Sequence, residues 1–121
     1  MKKKNSLIIF TDLDGTLLHR ETFKFDPIKD YIKNLIESGI IIIPNSSKTE
    51  KEIDKFNEEL GIKLPYISEN GSSIHGVNLI NSNFPNKIIL SREKEELLKV
   101  FESKVPENII NKCLLISKLD K

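Results

Sequence analysis

The sequence is short of the residues on which several classes of protein depend. Its single cysteine, Cys113, excludes an internal disulfide, and its two histidines, His19 and His75, are too few and too scattered for a zinc site. The apolar run behind the basic start, Leu7–Phe10, is far shorter than a signal-peptide core or a membrane span. We therefore expect no membrane association and a cytoplasmic location.

An excess of charge of one sign is also missing. The 121 residues include 19 basic and 18 acidic side chains, which gives a formal net charge of +1. Proteins that bind nucleic acid through its phosphates carry a clear positive excess, so no nucleic acid is expected as a partner. The length suffices for one ordinary domain, with room for a fragment of a second.

Apolar runs and an amphipathic segment near the amino terminus predict an α/β fold. The runs Leu7–Phe10 and Ile40–Ile43 are bulky or β-branched throughout, as in parallel strands covered on both faces. Between them a helix is predicted, with Asp26 as N-cap, Pro27 at its first position and Gly39 at its end. Its core-facing side chains follow helical spacing: Ile28, Tyr31, Ile32, Leu35 and Ile36.

A second crossover helix is predicted after the second strand. Thr49 and Glu52 have the spacing of a capping box, and Gly61 marks the end of the helix. Its predicted core face consists of Ile53, Phe56 and Leu60. Residues 64–68 predict a third strand, residues 69–73 a turn, and residues 73–80 a hairpin around His75 to Asn78.

The pattern changes after about residue 80. Residues 86–90 predict a strand and residues 91–105 a helix that is capped by Ser91. The apolar positions expected to face inward on this helix are Leu97, Leu98, Phe101 and Val105. A boundary is predicted where Asn, Ser and Pro cluster, between Asn78 and Asn86.

Polar residues follow each of the three predicted parallel strands. Asp12 and Asp14 follow the first, Asn45–Thr49 the second and Glu69–Gly71 the third. In an open parallel sheet, ligands bind beyond the carboxyl ends of the strands. Two carboxylates spaced two apart point to the same side of an extended chain, and Gly15 permits a turn towards a ligand. Such a pair suits a divalent cation, which would offset the repulsion between the carboxylates.

Simpler interpretations compete at each position. A lone D-x-D-G segment also occurs as a solvated turn, whereas an EF-hand is excluded because the twelfth loop position is Phe23 rather than an acid. Ser46 and Ser47 are equally consistent with helix capping, and Lys48 with a solvated side chain. Asn70–Gly71 is also an ordinary turn pair.

Three segments carry a family resemblance. FTDLDGTLL, residues 10–18, resembles the first motif of the haloacid dehalogenase superfamily, and NSSKT (45–49) and PYISENGSSI (65–74) are similar to its sugar-phosphatase branch with a β-rich cap. The similarity is greatest to the mannosyl-3-phosphoglycerate phosphatase family and covers about residues 7–74. It implies a Rossmann-like parallel sheet with crossover helices in residues 1–80, followed by the start of an α+β cap in residues 81–121.

The resemblance also implies roles for the polar residues. Asp12 would attack phosphorus and form an aspartyl-phosphate, and Asp14 would protonate the leaving oxygen and then activate water. Mg²⁺ would be held by the Asp12 carboxylate and the Asp14 carbonyl. The residues that would bind phosphate or substrate are Thr16, Ser46, Ser47, Lys48, Glu69 and Asn70.

The family's later lysine motif and its acidic motif are absent from the sequence. No Gly-Asp pair occurs, and the only aspartate after Asp54 is Asp120. We therefore expect the amino-terminal part of such a phosphatase, with incomplete Mg²⁺ coordination and an exposed apolar sheet edge that favours self-association. The expected reaction is Mg²⁺-dependent hydrolysis of mannosyl-3-phosphoglycerate to mannosylglycerate. The alternatives are another sugar phosphate, such as sucrose-phosphate or a hexose phosphate, and a non-catalytic remnant that binds phosphate.

Overall fold

The computed structural model describes residues 7–109 and 111, in which strands alternate with helices. The elements are β1 (Ile8–Thr11), α1 (Asp26–Glu37), β2 (Ile41–Pro44), α2 (Glu50–Leu60), β3 (Tyr66–Ser68), β4 (Ser73–His75), β5 (Lys87–Ile89) and α3 (Lys94–Lys104). The chain divides into two compact units, one ending at Leu90 and the other beginning at Ser91. The division into core and cap regions after residue 80 stays a prediction. No helix in the described ranges is long and apolar enough to cross a membrane.

The first unit is built on a parallel pair of strands joined by a helix. β1 and β2 run parallel with Ile9 opposite Ile42, and α1 lies between them in the chain. A single bridge between Asn45 and Ile67 continues the parallel order from the end of β2 to β3. β3, β4 and β5 then form an antiparallel sheet in that order. Parallel strands with crossover helices confirm the predicted α/β fold class.

The core of this unit is formed by the loop after β1, by β2 and by one face of each of the first two helices. Its buried members are Leu13, Leu18, Phe25, Ile32, Ile42, Ile53, Phe56, Leu60, Leu64 and Tyr66. The prediction for α2 is confirmed in detail, because Thr49 and Glu52 form a reciprocal capping box and Gly61 ends the helix in the left-handed conformation.

The prediction that both strands are covered on both faces holds only for β2. Ile42 and Ile43 are buried, but Ile8 and Phe10 of β1 are 44% and 62% exposed. Ile8 and Phe10 lie on the same face of β1, which the described residues leave largely uncovered, and within these residues β1 pairs only with β2. The predicted exposed apolar surface is therefore present, and self-association through it stays a prediction.

Two details predicted for α1 are wrong. The N-cap position is Phe25, which makes no side-chain cap bond, and Asp26 lies in the first turn instead. Tyr31 is 64% exposed, because the apolar face that meets the core is narrower than the sequence pattern suggested. The side chains of this helix that do pack on the core are Ile28, Ile32, Leu35 and Ile36.

The hairpin predicted around His75 to Asn78 is wrong in position. β3 and β4 form the tight hairpin, with Ser68 opposite Ser73. The chain reverses at Glu69, Asn70 and Gly71, which have φ of +50°, +56° and +92°. Residues Val77–Leu79 form a 3₁₀ turn within the longer connection from β4 to β5.

The second unit, taken by itself, contains α3. This helix has Glu93 rather than the predicted Ser91 at its N-cap. Leu97 and Phe101, predicted to face inward, are 51% and 45% exposed, while Leu98 and Val105 are partly buried. No side chain described between Ser91 and Ile109 is buried, so the described residues of this unit form no core among themselves. Cys113 and Asp120 lie outside the described residues.

Candidate active site

Asp12 and Asp14 flank a core residue at the carboxyl end of β1. Leu13 between them is completely buried, while Asp12 is exposed and Asp14 is partly buried. One oxygen of the Asp12 carboxylate accepts the N–H of Leu13 at 2.8 Å. Leu13 packs in the core, while the Asp12 side chain is accessible to a ligand and Asp14 is partly covered. That the two carboxylates share one ligand-facing side stays a prediction.

The loop that carries these aspartates is closed by backbone hydrogen bonds. The Leu13 carbonyl accepts the N–H groups of Thr16 and Leu18 at 3.1 and 2.8 Å, and the Leu18 carbonyl accepts the N–H of Gly15 at 2.9 Å. Gly15 has φ of +79°, a conformation that side chains disfavour. Thr16 is exposed on this loop.

Lys48 reaches from the loop after β2 to Asp14. Its ammonium Nζ lies 3.2 Å from Asp14 Oδ1, and the two side chains are only 15% and 36% exposed. Because Asp14 Oδ1 is itself buried and makes no well-aligned hydrogen bond, this ion pair is its main compensation. Lys48 is therefore not a solvated lysine. Its positive charge offsets part of the repulsion between Asp12 and Asp14, and the sequence pattern did not predict this ion pair.

Ser46 lies in the same loop as Lys48, after β2, and its side chain is buried. It is 4% exposed, and its Oγ accepts the backbone N–H of Lys48 at 3.1 Å. The hydroxyl proton of Ser46 remains free to be donated elsewhere. The N-cap of α2 is Thr49, so helix capping does not account for Ser46 or for the exposed Ser47.

The turn after β3 is pinned against the loop after β2. Glu69 donates its N–H to the Lys48 carbonyl at 3.0 Å, and Asn70 donates its N–H to the Ser46 carbonyl at 3.1 Å. Asn45 likewise donates to the Thr11 carbonyl at 2.8 Å, which ties the second loop to the first. The three polar segments predicted from the sequence thus lie side by side, and the Glu69 and Asn70 side chains are exposed on the third.

A buried polar cluster links β3 and β4, the two strands that this turn joins. His75 Nε2 lies 2.8 Å from Ser73 Oγ and 3.2 Å from Ser68 Oγ, and the two hydroxyl oxygens are 2.7 Å apart. The imidazole stacks on Tyr66 with 4.5 Å between ring centroids. The cluster fixes the strands on either side of the turn, a role that the sequence did not reveal for His75.

The donor set near Asp12 fits Mg²⁺ in type but not in number. Carboxylate and carbonyl oxygens are the ligands that Mg²⁺ prefers, and Asp12 has a carboxylate oxygen that Leu13 does not occupy. Among residues 7–109 and 111, however, no three His, Cys, Asp or Glu residues are grouped to hold a metal. Asp12 and Asp14 thus form part of a metal site at most.

Sequence reasoning missed one residue beside the site. Phe23 presents its ring to the Lys48 ammonium, which lies 4.6 Å from the ring centroid. Its φ of +55° is rare for a bulky side chain. No sequence pattern predicts that a phenylalanine adopts this conformation.

Comparison with known proteins agrees with these features. The sequence model of one protein family, the haloacid dehalogenase-like hydrolases, matches residues 9–115. A glucosyl-3-phosphoglycerate/mannosyl-3-phosphoglycerate phosphatase of Persephonella marina is 41% identical over 68 residues, which are 56% of this chain and 25% of that protein. A mannosyl-3-phosphoglycerate phosphatase of Pyrococcus horikoshii is 45% identical over 67 residues, which are 55% of this chain and 27% of that protein. The matched region therefore spans about a quarter of these relatives.

Solved structures show the same fold. A haloacid dehalogenase-like hydrolase from B. subtilis superposes with a TM-score of 0.58 at 23% identity, over 78% of this chain and 32% of its own. The residues that match the family model include the loop with Asp12 and Asp14, both crossover helices and the antiparallel strands. This chain belongs to the haloacid dehalogenase-like hydrolases.

Proposed function

We propose that the protein hydrolyses phosphomonoesters, with Asp12 as the nucleophile and a phosphorylated sugar or sugar-glycerate as substrate. The observation that carries the proposal is the pairing of Asp14 with Lys48 at 3.2 Å, beside an exposed Asp12, where three strand ends meet. A positioned acid–base group and a nearby cation both assist phosphoryl transfer, the cation by stabilising negative charge on the phosphoryl oxygens.

The reaction would proceed in two displacements. An Asp12 carboxylate oxygen attacks phosphorus, the bond from phosphorus to the ester oxygen breaks, and Asp14 gives a proton to the departing oxygen. Water then attacks the aspartyl-phosphate, Asp14 accepts its proton, and inorganic phosphate leaves with Asp12 restored.

The neighbouring loops would bind the substrate. The Ser46 hydroxyl can donate to a phosphate oxygen, and the Lys48 ammonium adds positive charge beside it. Thr16 and Ser47 are exposed on the loops after β1 and β2, where their hydroxyls would donate further hydrogen bonds to the phosphate. Glu69 and Asn70 would contact the sugar; the backbone bonds from their turn to the Ser46 and Lys48 carbonyls support this proposal.

A divalent cation would complete the charge balance. The Asp12 carboxylate and the Asp14 backbone carbonyl would hold Mg²⁺, which supplies positive charge against the phosphoryl oxygens when bound. Because the described residues offer no third acidic ligand, we expect weak binding, with water in the remaining positions.

Mannosyl-3-phosphoglycerate is the substrate to test first, with mannosylglycerate as the product, because two relatives that match more than half of this chain are named as phosphatases for it. Sucrose-phosphate and a hexose phosphate are the alternatives within the same chemistry. Phosphate release from each, measured with and without added Mg²⁺, ranks the substrates.

Asp12→Asn tests the nucleophile, with Asp30→Asn on the exposed face of α1 as the matched control. Loss of phosphate release in Asp12→Asn and retention in Asp30→Asn are the expected results. Equal activity of the two variants would show that Asp12 is not the nucleophile.

A second candidate function is phosphate binding without turnover. The lack of a third acidic metal ligand among the described residues favours it. Calorimetry with inorganic phosphate distinguishes the two candidates: binding that is lost in Lys48→Met, together with no release from any sugar phosphate, supports the binding module. Release that depends on Asp12 supports the enzyme.

A further inference from the structure

The segment from His19 to Lys24 forms a small closed loop. His19 donates its N–H to the Lys24 carbonyl at 2.9 Å, and its own carbonyl accepts the N–H of Phe23 at 2.8 Å. Its ring nitrogen Nδ1 accepts the N–H groups of Glu21 and Thr22, each at 3.3 Å. These bonds hold Phe23 at φ of +55°, a strained conformation that persists only where its surroundings impose it.

Phe23 contacts the Lys48 ammonium, which in turn pairs with Asp14. The Lys48 ammonium lies 4.6 Å from the Phe23 ring centroid and 3.2 Å from Asp14 Oδ1. Phe23 and Lys48 both line a cavity of about 690 Å³ that is open to solvent. The Phe23 ring is itself 50% exposed, so burial of the ring does not explain why the loop holds it there.

We propose that Phe23 is a positioning residue that acts through Lys48: its ring face holds the ammonium beside Asp14, where it meets the anionic group of the substrate. The inference rests on the proposed phosphatase function. The ring attracts the cation through its quadrupole and leaves the charge of Lys48 intact for the substrate. The strain at Phe23 is retained because a relaxed loop would turn the ring away from Lys48.

Kinetics with p-nitrophenyl phosphate separate this role from simple packing. Phe23→Leu keeps an apolar side chain without the quadrupole and should raise KM about two- to fivefold with kcat unchanged, whereas Phe23→Tyr should keep the wild-type KM. Phe84→Leu is the matched control, because Phe84 is 51% exposed and Phe23 is 50% exposed.

A double-substitution cycle tests whether the effect runs through Lys48. In a Lys48→Met background, Phe23→Leu should leave KM unchanged, because no cation remains to be positioned. The same rise in KM in both backgrounds would overturn the inference, as would a Phe23→Leu enzyme that behaves like Phe84→Leu.

NMR of the unliganded protein gives a readout that needs no turnover. The Lys48 side-chain methylene protons should be shifted upfield by the ring in the wild type and in Phe23→Tyr, and the shift should be lost in Phe23→Leu. Unchanged Lys48 resonances in Phe23→Leu would overturn the positioning role. If Asp12→Asn keeps full activity while the Lys48 shift is present, the proposed function fails and the contact itself stands.

Discussion

Replacing Lys48 with methionine removes the cation beside Asp14 while keeping most of the volume of the side-chain stem. Exposed ion pairs contribute about 0–1 kcal/mol, and removal of one partner from a buried pair costs about 3–5 kcal/mol. Here the two side chains are 15% and 36% exposed, and Asp14 Oδ1 has no well-aligned hydrogen bond. We therefore expect Lys48→Met to lower the free energy of unfolding by about 1–3 kcal/mol, the cost of an uncompensated buried polar atom.

Urea unfolding at neutral pH measures this loss, with Lys51→Met on the exposed face of α2 as the control. A double variant sharpens the test: Asp14→Asn in the Lys48→Met background removes the uncompensated charge, so it should be more stable than Lys48→Met alone. The reasoning is refuted if Lys48→Met is as stable as Lys51→Met, or if neutralising Asp14 recovers nothing.

Three further predictions concern the scaffold. Thr49→Ala should cost about 1 kcal/mol. The backbone N–H of Thr49 and then its hydroxyl lower the pKa of Glu52 from its ordinary 4.5, so the carboxylate stabilises the fold above that value. Alanine keeps the backbone bond and removes the hydroxyl bond, so only this smaller part of the difference from wild type in urea should disappear as pH falls through the lowered pKa. His75→Ala should cost about 1–3 kcal/mol in urea unfolding, because two buried hydroxyls each lose one of two hydrogen-bond partners and the Tyr66 ring loses its stacking contact; wild-type stability would contradict the supporting role. Ile53→Ala should cost about 2–5 kcal/mol, because the side chain is fully buried; an equal loss in exposed Tyr31→Ala would contradict this core.

The sequence predicted correctly those features that depend only on interactions between residues close together in the chain. The capping box of Thr49 and Glu52, the left-handed Gly61 and the helical spacing of α2 all depend on residues close together in the chain, and the structure has each of them. The turn at Gly15 follows for the same reason, since few residues other than glycine adopt its φ of +79°.

The features that the sequence did not reveal depend on contacts between distant segments. Nothing near Lys48 in the chain indicates that its ammonium lies against Asp14, because the contact forms only when β1 and β2 pair. The turn predicted at residues 69–73 is present, because it joins β3 to β4. The hairpin predicted around His75 to Asn78 is wrong because β4 pairs with β5, which follows only after a longer connection. The exposure of Ile8 and Phe10 depends on whether another element packs on that face of β1, which the apolar residues of the strand do not decide by themselves.

The site is likewise only partly encoded in its motifs. The positions of Asp12, Ser46 and Glu69 at successive strand ends follow from the general rule for parallel sheets. The position of Phe23 does not, because it depends on the hydrogen bonds that His19 makes to the backbone of its own loop.

Trapping the phosphorylated protein during turnover is the measurement that bears most on the proposed chemistry. The protein is mixed with a labelled sugar phosphate and Mg²⁺, quenched in acid, digested and sequenced by mass spectrometry. We expect one phosphoryl group on Asp12 in the wild type and in Asp30→Asn, and none in Asp12→Asn, which also releases no phosphate. A phosphoryl group on another residue, or phosphate release at the wild-type rate from Asp12→Asn, would contradict the assignment of Asp12 as the nucleophile.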